Sequence, residues 1–445
     1  MERADVVVVG AGIAGLAAAW RLRGRDVVVL EAADRLGGRI RSEPRGELWL
    51  NLGAHVFAGP GSATDRLLAE TGVAAKPVGG RLAAVALGAA IADRGRVETY
   101  PFRLPLSPRS RLALVRAGLK VRLAVRRYAQ VAAERPGEDP AARQLRLLQH
   151  LDDRSFADFV GPLPPDVDAI FRATLNRSSG EPEELAAGYG IGYFHLVWNR
   201  DAGLSRTILG GPSTLVDALA AGLGGRIRTG TPVEAVAADG DGVVVRHAAG
   251  ELRARAAVVA TPAYVARAIV RGLPSDADAA LAAVRYGPYV VGAFLTAETG
   301  PMPWDGLYAL ATPGRSFGML FNTVNALRGE GPRAPGGSLM VYAAANAARA
   351  LAGLSDDEIR ARFTADLESL WPEARGIVAE LALLRLERGL PYAAVGRARL
   401  QAALTRDLGP VRLAGDYLGT WYTETACATA EAAARSIAAG PAAPR

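Results

Sequence analysis

The chain has 445 residues, half of them hydrophobic, which is enough for two or three domains and a sizeable core. Its net charge of +7 suits anionic ligands or surfaces, but no basic segment is interleaved with aromatic residues, so we expect no nucleic-acid partner. The single cysteine, Cys427, excludes internal disulfides and cysteine-rich metal sites. No apolar run reaches the roughly 18 residues of a membrane span, and the early first strand leaves no room for a signal peptide. We therefore predict a cytoplasmic protein without a metal site.

Residues 6–39 have the pattern of a βαβ unit that binds a dinucleotide. Val6–Val9 is typical of a strand buried on both faces, and three glycines follow at G-x-G-x-x-G spacing as a helix begins. Gly10 permits a tight turn, Gly12 lets a pyrophosphate approach the backbone, and Gly15 lets helix and strand pack closely. Glu31 ends the second predicted strand and can accept hydrogen bonds from a ribose 2′-hydroxyl.

A basic, glycine-rich segment follows directly, Arg35-Leu-Gly-Gly-Arg39-Ile-Arg41-Ser42. Its two glycines suit a backbone that passes close to an anion, and Arg39 can clamp a phosphate. Together with the βαβ unit, this segment resembles the flavin-containing amine oxidase and protoporphyrinogen oxidase superfamily. The same segment contacts the pyrophosphate of FAD in that group, so the resemblance implies FAD. We expect it to be bound non-covalently, because Cys427 does not occupy the position where some amine oxidases attach their flavin.

The next elements lead from the cofactor segments into a helical region. Leu48–Leu52 is predicted as a strand, and Gly53, Ala54 and His55 after it resemble the superfamily's segment beside the flavin ring. A helix is predicted at Ser62–Thr71, a hairpin at Leu82–Tyr100, and helices at Pro105–Gln149 and Asp152–Leu175.

The stretch from Arg103 to Arg127 contains eight basic residues and no acidic one, interleaved with leucines and valines. Such a helix could lie on an anionic membrane surface as a peripheral contact. It could equally be an outer helix with a solvated basic face, which is the interpretation that we favour.

The most aromatic stretch is Gly188–Trp198, where His195 and its aromatic neighbours could line a cavity or pack in a core. Residues 210–262 then follow the order of the superfamily's second nucleotide-binding segment: a helix over 214–223, a strand from Val233, a hairpin (243–247 and 252–255) and a strand over 256–260 that ends at Thr261. The residue in the place of Val233 contacts the adenine side of FAD in that group.

Residues 271–390 give a mixed pattern. Strands are predicted at 289–295 and 338–343, and helices at 356–370 and 374–380. Many amine oxidases carry a lysine near the flavin in a strand resembling Tyr286–Phe294, but this strand has none. That departure favours chemistry similar to protoporphyrinogen oxidases or carotenoid desaturases.

A final strand is predicted to end at Gly415-Asp416, before an alanine-rich helix that begins near Thr425. The Gly-Asp pair closes the cofactor site in the resembling families, and a positive helix end there would favour an anionic reduced flavin. Trp421 and Tyr422 lie where amine oxidases place an aromatic wall. The catalytic candidates are His55, Trp421, Tyr422 and His195. The residues assigned to the cofactor are Gly10, Gly12, Ile13, Ala14, Gly15, Glu31, Ala32, Arg35, Gly37, Gly38, Arg39, Gly53, Ala54, Val233, Thr261, Gly415, Asp416, Thr425 and Ala426.

These patterns predict an α/β protein with a discontinuous Rossmann-like FAD-binding domain (1–75, 205–272 and 393–445). An inserted mixed α+β substrate domain takes up 76–204 and 273–392. The resemblance implies an FAD-dependent oxidoreductase that takes hydride from a C–H or C–N bond of a small, hydrophobic or cyclic substrate, with dioxygen or another acceptor as co-substrate. A redox-neutral flavin isomerase and a non-catalytic prenyl-protein-binding relative are the alternatives. A homodimer is compatible with this prediction.

Overall fold

The computed structural model describes residues 2–198, 204–240, 242–328, 333–420 and 422–439. The strands of these residues are β1 (Glu2–Val9), β2 (Val27–Leu30), β3 (Ser42–Arg45), β4 (Leu48–Asn51), β5 (Phe57–Ala58), β6 (Ala75–Pro77), β7 (Ala84–Leu87), β8 (Ala90–Ala92), β9 (Leu204–Ile208), β10 (Ile227–Arg228), β11 (Val233–Asp239), β12 (Gly242–His247), β13 (Gly250–Val259), β14 (Arg285–Thr296), β15 (Ala309–Ala311), β16 (Met319–Asn322), β17 (Gly337–Ala344), β18 (Val378–Tyr392) and β19 (Val411–Leu413). The α-helices are α1 (Ile13–Arg21), α2 (Ala63–Thr71), α3 (Tyr100–Arg103), α4 (Pro108–Ala132), α5 (Pro140–Gln149), α6 (Phe156–Val160), α7 (Pro165–Leu175), α8 (Ala187–Trp198), α9 (Ser213–Leu223), α10 (Ala263–Ile269), α11 (Ser275–Ala283), α12 (Asn346–Leu351), α13 (Asp356–Leu370), α14 (Gln401–Leu404) and α15 (Tyr422–Ala438).

The first large sheet has the strand order β10-β2-β1-β13-β12-β11, with β19 paired to the end of β13. Strands β10, β2, β1, β13 and β19 run parallel to their neighbours, whereas β11 and β12 form an antiparallel extension. Helices α1, α9 and α15 cover one face through residues such as Leu16, Leu215 and Cys427. Since Val6–Val9 is covered from both sides, its uninterrupted run of valines is explained by burial. This is the α/β architecture that the sequence predicts.

The second large sheet has the order β18-β14-β17-β16-β15-β7-β8. Its central strands β14 and β17 pair antiparallel, with Val291 opposite Tyr342 and Ala293 opposite Met340. Successive side chains point to opposite faces, so Tyr289, Val291, Met340 and Tyr342 share one face of the sheet. The alternate residues, such as Val290 and Val341, pack in a separate core beneath α12 and α13.

Helix α4 is an outer helix, as we favoured from its sequence, and its basic face is exposed. Among the described residues, six large hydrophobic side chains are exposed, and four of them lie on or beside this helix: Phe102, Leu112, Leu119 and Leu123. The membrane contact of this basic helix remains a prediction. No helix in the described ranges is both long enough and apolar enough to cross a bilayer.

Three predictions of local structure are wrong. Residues 374–380 form no helix, because a short 3₁₀ turn ends at Ala374 and β18 begins at Val378. The Leu- and Arg-rich sequence of β18 would suit a helix, but pairing along β14 overrides that local preference. Residues 250–259 are one strand rather than two, because β13 pairs with β12 along its first half and with β19 along its last part. The C-terminal helix begins at Tyr422 and not near Thr425.

Helix α8 is the aromatic stretch singled out in the sequence, and its glycines permit unusually close packing. A Cβ atom at Gly188 would lie 1.7 Å from the carbonyl oxygen of His150, and one at Gly190 would lie 2.6 Å from the ring of Phe156. Backbone and rings thus occupy the space that side chains would fill. The helix is thereby pressed into the core, with its C-terminal end beside the cavity described below.

We expect Gly188→Ala to lower the free energy of unfolding by about 3 kcal/mol, because backbone must move to admit the methyl group. Gly118→Ala in α4 is the matched control, since nothing lies within 4 Å of its added Cβ. That variant should gain about 0.5–1 kcal/mol from the better helix propensity of alanine. Chemical denaturation of both variants measures the difference, and equal stabilities would contradict the packing argument.

Candidate cofactor and substrate cavity

The parallel strands of the first sheet place several predicted residues at one edge. The carboxyl ends of β1, β2, β13 and β19 lead into Gly10, Glu31, Thr261 and Gly415. Ligands of open α/β sheets bind at this edge, in the crevice outside the carboxyl ends of the strands. The fold therefore gathers segments from the beginning, middle and end of the chain around one crevice.

The glycines of the loop at this edge have two different roles. Gly10 and Gly15 are needed by the fold, whereas Gly12 leaves space open. Gly10 has a φ of +99°, and a Cβ at Gly15 would lie 1.8 Å from the Gly10 carbonyl oxygen, so helix and strand pack without room for a side chain. Nothing lies within 4 Å of a Cβ placed at Gly12, although Gly12 lines the crevice. The open space at Gly12 is where the pattern puts a pyrophosphate.

Glu31 is held in place by backbone amides at the far end of the crevice. Its carboxylate accepts hydrogen bonds from the amides of Ala11 at 2.6 Å and Ala33 at 2.9 Å. The amide of Thr231, just before β11, donates to the Glu31 carbonyl oxygen at 2.8 Å and brings Val233 to the same end. The acceptor and the apolar wall that a ribose and an adenine require therefore lie side by side.

The opening and closing motifs of the chain meet in a two-pronged ion pair. Arg39 donates from both terminal nitrogens to Asp416, with N–O distances of 2.7 and 2.8 Å, and also to the Gly389 carbonyl oxygen at 3.0 Å. Burial works against the charge of Arg39, but the Asp416 carboxylate outweighs it and raises the arginine pKa. Planar pairing of this kind fixes the position of both groups. It joins residues 377 positions apart.

These motifs surround one continuous cavity of about 670 Å³, which extends from Glu31 to the aromatic face of the second sheet. The predicted residues that line it are Gly10, Gly12, Ile13, Ala14, Glu31, Ala32, Gly37, Gly38, Arg39, Gly53, Ala54, His55, Val233, Thr261, Gly415, Asp416, Tyr422 and Ala426. Gly15, Arg35, Thr425 and His195 are not part of the wall.

Four of the predicted site residues lie elsewhere for identifiable reasons. Gly15 lies behind the loop. The guanidinium group of Arg35 is exposed and donates to the carbonyl oxygens of Leu36 and Gly38. His195 packs in the core with its ring centroid 5.3 Å from that of Tyr128, which agrees with the core alternative for this stretch. Because α15 starts earlier than predicted, Thr425 is turned away and Thr423 faces the cavity in its place. Trp421 lies outside the described residues.

The end of the cavity opposite Glu31 is walled by aromatic side chains, of which the sequence indicated Tyr422 and the stretch that contains Tyr193 but not Tyr289, Tyr308 or Tyr342. The additional residues at this end are Arg177, Tyr193, Tyr289, Tyr308, Met340 and Tyr342. The hydroxyl of Tyr422 lies 3.0 Å from that of Tyr189 on α8. Burial raises the pKa of Tyr342 to about 12, and it raises those of Tyr189 and Tyr422 as well, so the phenols at this end stay neutral.

His55 is the predicted residue best placed for chemistry. Burial, and to a smaller extent the positive charge of Arg177, lower its pKa to about 3, so its imidazole is neutral near pH 7. Its Nδ1 lies 3.4 Å from the Gly53 carbonyl oxygen, which can only accept a hydrogen bond. A neutral ring that donates through Nδ1 keeps the Nε2 lone pair as its acceptor. His55 can therefore accept a hydrogen bond through Nε2, but its low pKa keeps the ring from acting as an imidazolium acid near pH 7.

The residues present fit a flavin dinucleotide along the whole cavity. The open space at Gly12, the guanidinium of Arg39 and the carboxylate of Glu31 match the needs of pyrophosphate and ribose. The apolar and aromatic remainder is wide enough for a ring system. The geometry is thus that of a dinucleotide-binding α/β fold. Within the described residues, no group of three or more histidine, cysteine or acidic side chains could hold a metal ion.

Comparison with known proteins specifies the class. The chain belongs to the flavin-containing amine oxidoreductase family, whose model matches residues 13–438. This membership agrees with the sequence motifs, which indicate an FAD-binding protein of the amine oxidase superfamily.

The relatives differ in what their names say they oxidise. Coproporphyrinogen III oxidase of Mycobacterium leprae (strain TN) is 32% identical over 196 residues, which cover 42% of either chain. Putrescine oxidase of Kocuria rosea is 30% identical over 287 residues, covering 58% of this chain and 56% of the relative. The chain thus matches only about half of the length of these curated relatives.

Solved structures show the same fold over nearly the whole chain. Cyclohexylamine oxidase from Brevibacterium oxydans IH-35A superposes with a TM-score of 0.77 at 22% identity, covering 98% of each chain. Putrescine oxidase bound to putrescine superposes with a TM-score of 0.76 at 21% identity, covering 98% of this chain and 99% of that one.

We expect Gly12→Ala and Gly15→Ala to fail in different ways. Gly12→Ala should fold with the thermal stability of flavin-free wild type but purify with little FAD, because its methyl group enters only the space for the pyrophosphate. Gly15→Ala should be destabilised even without flavin, because its Cβ collides with the Gly10 backbone. Flavin content and melting of the flavin-free proteins measure both effects. Full flavin retention by Gly12→Ala would contradict the placement of the pyrophosphate.

The depressed pKa of His55 predicts a dependence of stability on pH. Unfolded histidine titrates near pH 6.5, whereas folded His55 titrates near 3, so its contribution is complete above pH 6.5 and is lost as the pH falls toward 3. Between pH 8 and pH 5, wild type should lose about 1–2 kcal/mol relative to His55→Gln, which binds no proton there. Denaturant unfolding of both proteins at the two pH values measures this change. A constant difference would show that His55 has an ordinary pKa.

Proposed function

We propose that the protein removes a hydride from a C–H bond of a small, apolar or cyclic substrate (in an amine, the C–H bond next to nitrogen), with dioxygen or another acceptor taking up the electrons afterwards. The observation that carries this proposal is the continuity of the cavity. Its charged, glycine-rich part opens directly into a chamber walled by Tyr289, Tyr308, Tyr342 and Tyr422. FAD held along the cavity would present its ring at the junction, where it supplies the two-electron acceptor.

Three groups of residues would each hold a different part of the cofactor. Glu31 and Val233 would bind the ribose and cover the adenine, and the amides of the glycine loop would receive the pyrophosphate. Arg39, fixed by Asp416, would place its guanidinium group beside the phosphates. Cys427 is buried within the core and does not line the cavity, which supports non-covalent binding.

The residues at the aromatic end would orient the substrate and keep water out. Tyr189 and Tyr422 connect α8 to α15 through their hydroxyl groups, so the wall is held by two elements that come from different parts of the chain. Neutral His55 can accept a hydrogen bond from a substrate N–H or O–H through Nε2 and hold it in one orientation. No lysine occurs among the lining residues that the structure describes, so a substrate carbon would release its hydride without a lysine ammonium nearby.

We also propose that the two large sheets correspond to the two predicted domains. The first sheet takes its strands from 2–9, 27–30, 227–259 and 411–413, and the second takes its strands from 84–92 and 285–392. Each sheet builds one end of the cavity, so binding of the cofactor and choice of the substrate would be separate tasks of separate segments.

The test is anaerobic mixing of the purified protein with a panel of amines, porphyrinogens and polyenes. A true substrate should bleach the oxidised-flavin absorbance, and oxygen should restore it with formation of hydrogen peroxide if the protein is an oxidase. His55→Gln should slow the bleaching while flavin content stays normal. Conversion of a substrate without bleaching would contradict hydride removal and would favour the redox-neutral isomerase. Absence of flavin from the purified protein would contradict the cofactor assignment itself.

A further inference from the structure

Arg177 is a charged group of the cavity for which cofactor binding gives no role. It lies in the 3₁₀ turn Asn176–Ser178, directly after α7, and lines the aromatic end together with His55. The Tyr289 hydroxyl donates to the Arg177 carbonyl oxygen at 2.5 Å, and Ser178 donates to the Leu175 carbonyl oxygen at 2.7 Å. The backbone that carries this guanidinium is therefore held firmly against β14.

The guanidinium group itself is surrounded by neutral groups. Its central carbon lies 5.3 Å from the ring centroid of Phe321, and the Tyr342 hydroxyl is within hydrogen-bonding reach. None of the carboxylates in the described ranges forms a salt bridge with it. Arg172 and Arg328 are paired with Glu181 and Glu298. Buried Arg397 has no salt bridge in the described ranges, but it donates to the Gln401 side-chain oxygen and the Tyr417 carbonyl oxygen. A guanidinium has five N–H donors, so Arg177 retains donors for a ligand.

The acidic residues among the described lining residues do not neutralise the positive charge of Arg177. Glu31 and Asp416 are the acidic residues among the lining residues described. Glu31 lies at the opposite end, bound by two backbone amides, and Asp416 is already neutralised by Arg39. Arg388 stacks on Tyr264 at 4.4 Å and directly precedes Gly389, to which Arg39 donates, so it belongs to the phosphate region. The aromatic end therefore carries one positive charge and no negative one among its described residues.

We propose that Arg177 binds a carboxylate of the substrate, and that the substrate is an aromatic or otherwise apolar molecule carrying that carboxylate. The inference rests on the proposed function, because it names the class of molecule that occupies the same chamber. A planar guanidinium pairs with a carboxylate through two parallel N–H···O bonds, and few waters compete within aromatic walls. The positive charge of Arg177 would repel a diammonium compound such as putrescine.

The experiment compares two probes of the same shape, one charged and one neutral, and adds a dication as a third probe. Phenylacetate and phenylacetamide are titrated into the purified holoprotein by isothermal calorimetry, and putrescine is titrated as the dication. Phenylacetate should bind at least tenfold more tightly than phenylacetamide, and putrescine should give no saturable heat. The oxidised-flavin spectrum is recorded in parallel, since a probe beside the ring should perturb it.

Three variants assign the preference to the side chain. Arg177→Met should remove the preference for phenylacetate while leaving flavin content unchanged, and Arg177→Lys should restore part of it because the charge is kept without the planar fork. Arg246→Met, on the exposed β12–β13 hairpin, removes the same net charge far from the cavity and should bind like wild type.

Each result has one meaning. Equal binding of phenylacetate and phenylacetamide by wild type, or an undiminished preference in Arg177→Met, would overturn the proposal. Failure of the proposed function would be seen separately, because the affinity for phenylacetate can be measured by calorimetry even if the protein contains no flavin. A flavin-bound protein without the charge preference would leave the oxidoreductase assignment intact and remove only the carboxylate.

Discussion

The pairing of Arg39 with Asp416 is the interaction on which the cavity depends. Asp416 is only 6% exposed, so its charge would be costly without the guanidinium of Arg39, whose side chain is 32% exposed. The pair also connects the segment after the glycine loop with the segment after the last parallel strand. Through the Gly389 carbonyl oxygen, Arg39 holds β18 as well, so both sheets are connected where the two ends of the cavity meet.

A site could be predicted from the sequence where its residues lie close together along the chain. The glycine loop, Glu31 and the Arg39 segment are contiguous, and each residue type has a local physical reason, so this end could be read directly. The residues lining the aromatic end come from strands about fifty positions apart. Tyr289 and Tyr342 lie in strands buried on both faces, so no alternation of polar and apolar residues reveals which face meets the cavity.

Arg177 illustrates the same limit for a charged residue. It is one of 52 basic residues, and nothing in the surrounding sequence distinguishes it from a solvated arginine. Only the tertiary arrangement, with Phe321 behind it and tyrosines around it, gives it significance. The aromatic stretch around His195 shows that both alternatives can hold within one helix, since Tyr193 lines the cavity while the histidine packs in the core. Side-chain type alone therefore predicted the cofactor end better than the substrate end.

The strict alternation along β14 and β17 has a consequence for how such a protein can change. Tyr289, Val291, Met340 and Tyr342 face the chamber, while their immediate neighbours in sequence anchor the opposite core. A point mutation at every second position can therefore remodel the chamber without loosening the scaffold beneath it. Gene duplicates of this chain could diverge toward new metabolites by exchanging these few side chains, while the nucleotide-binding edge is inherited unaltered.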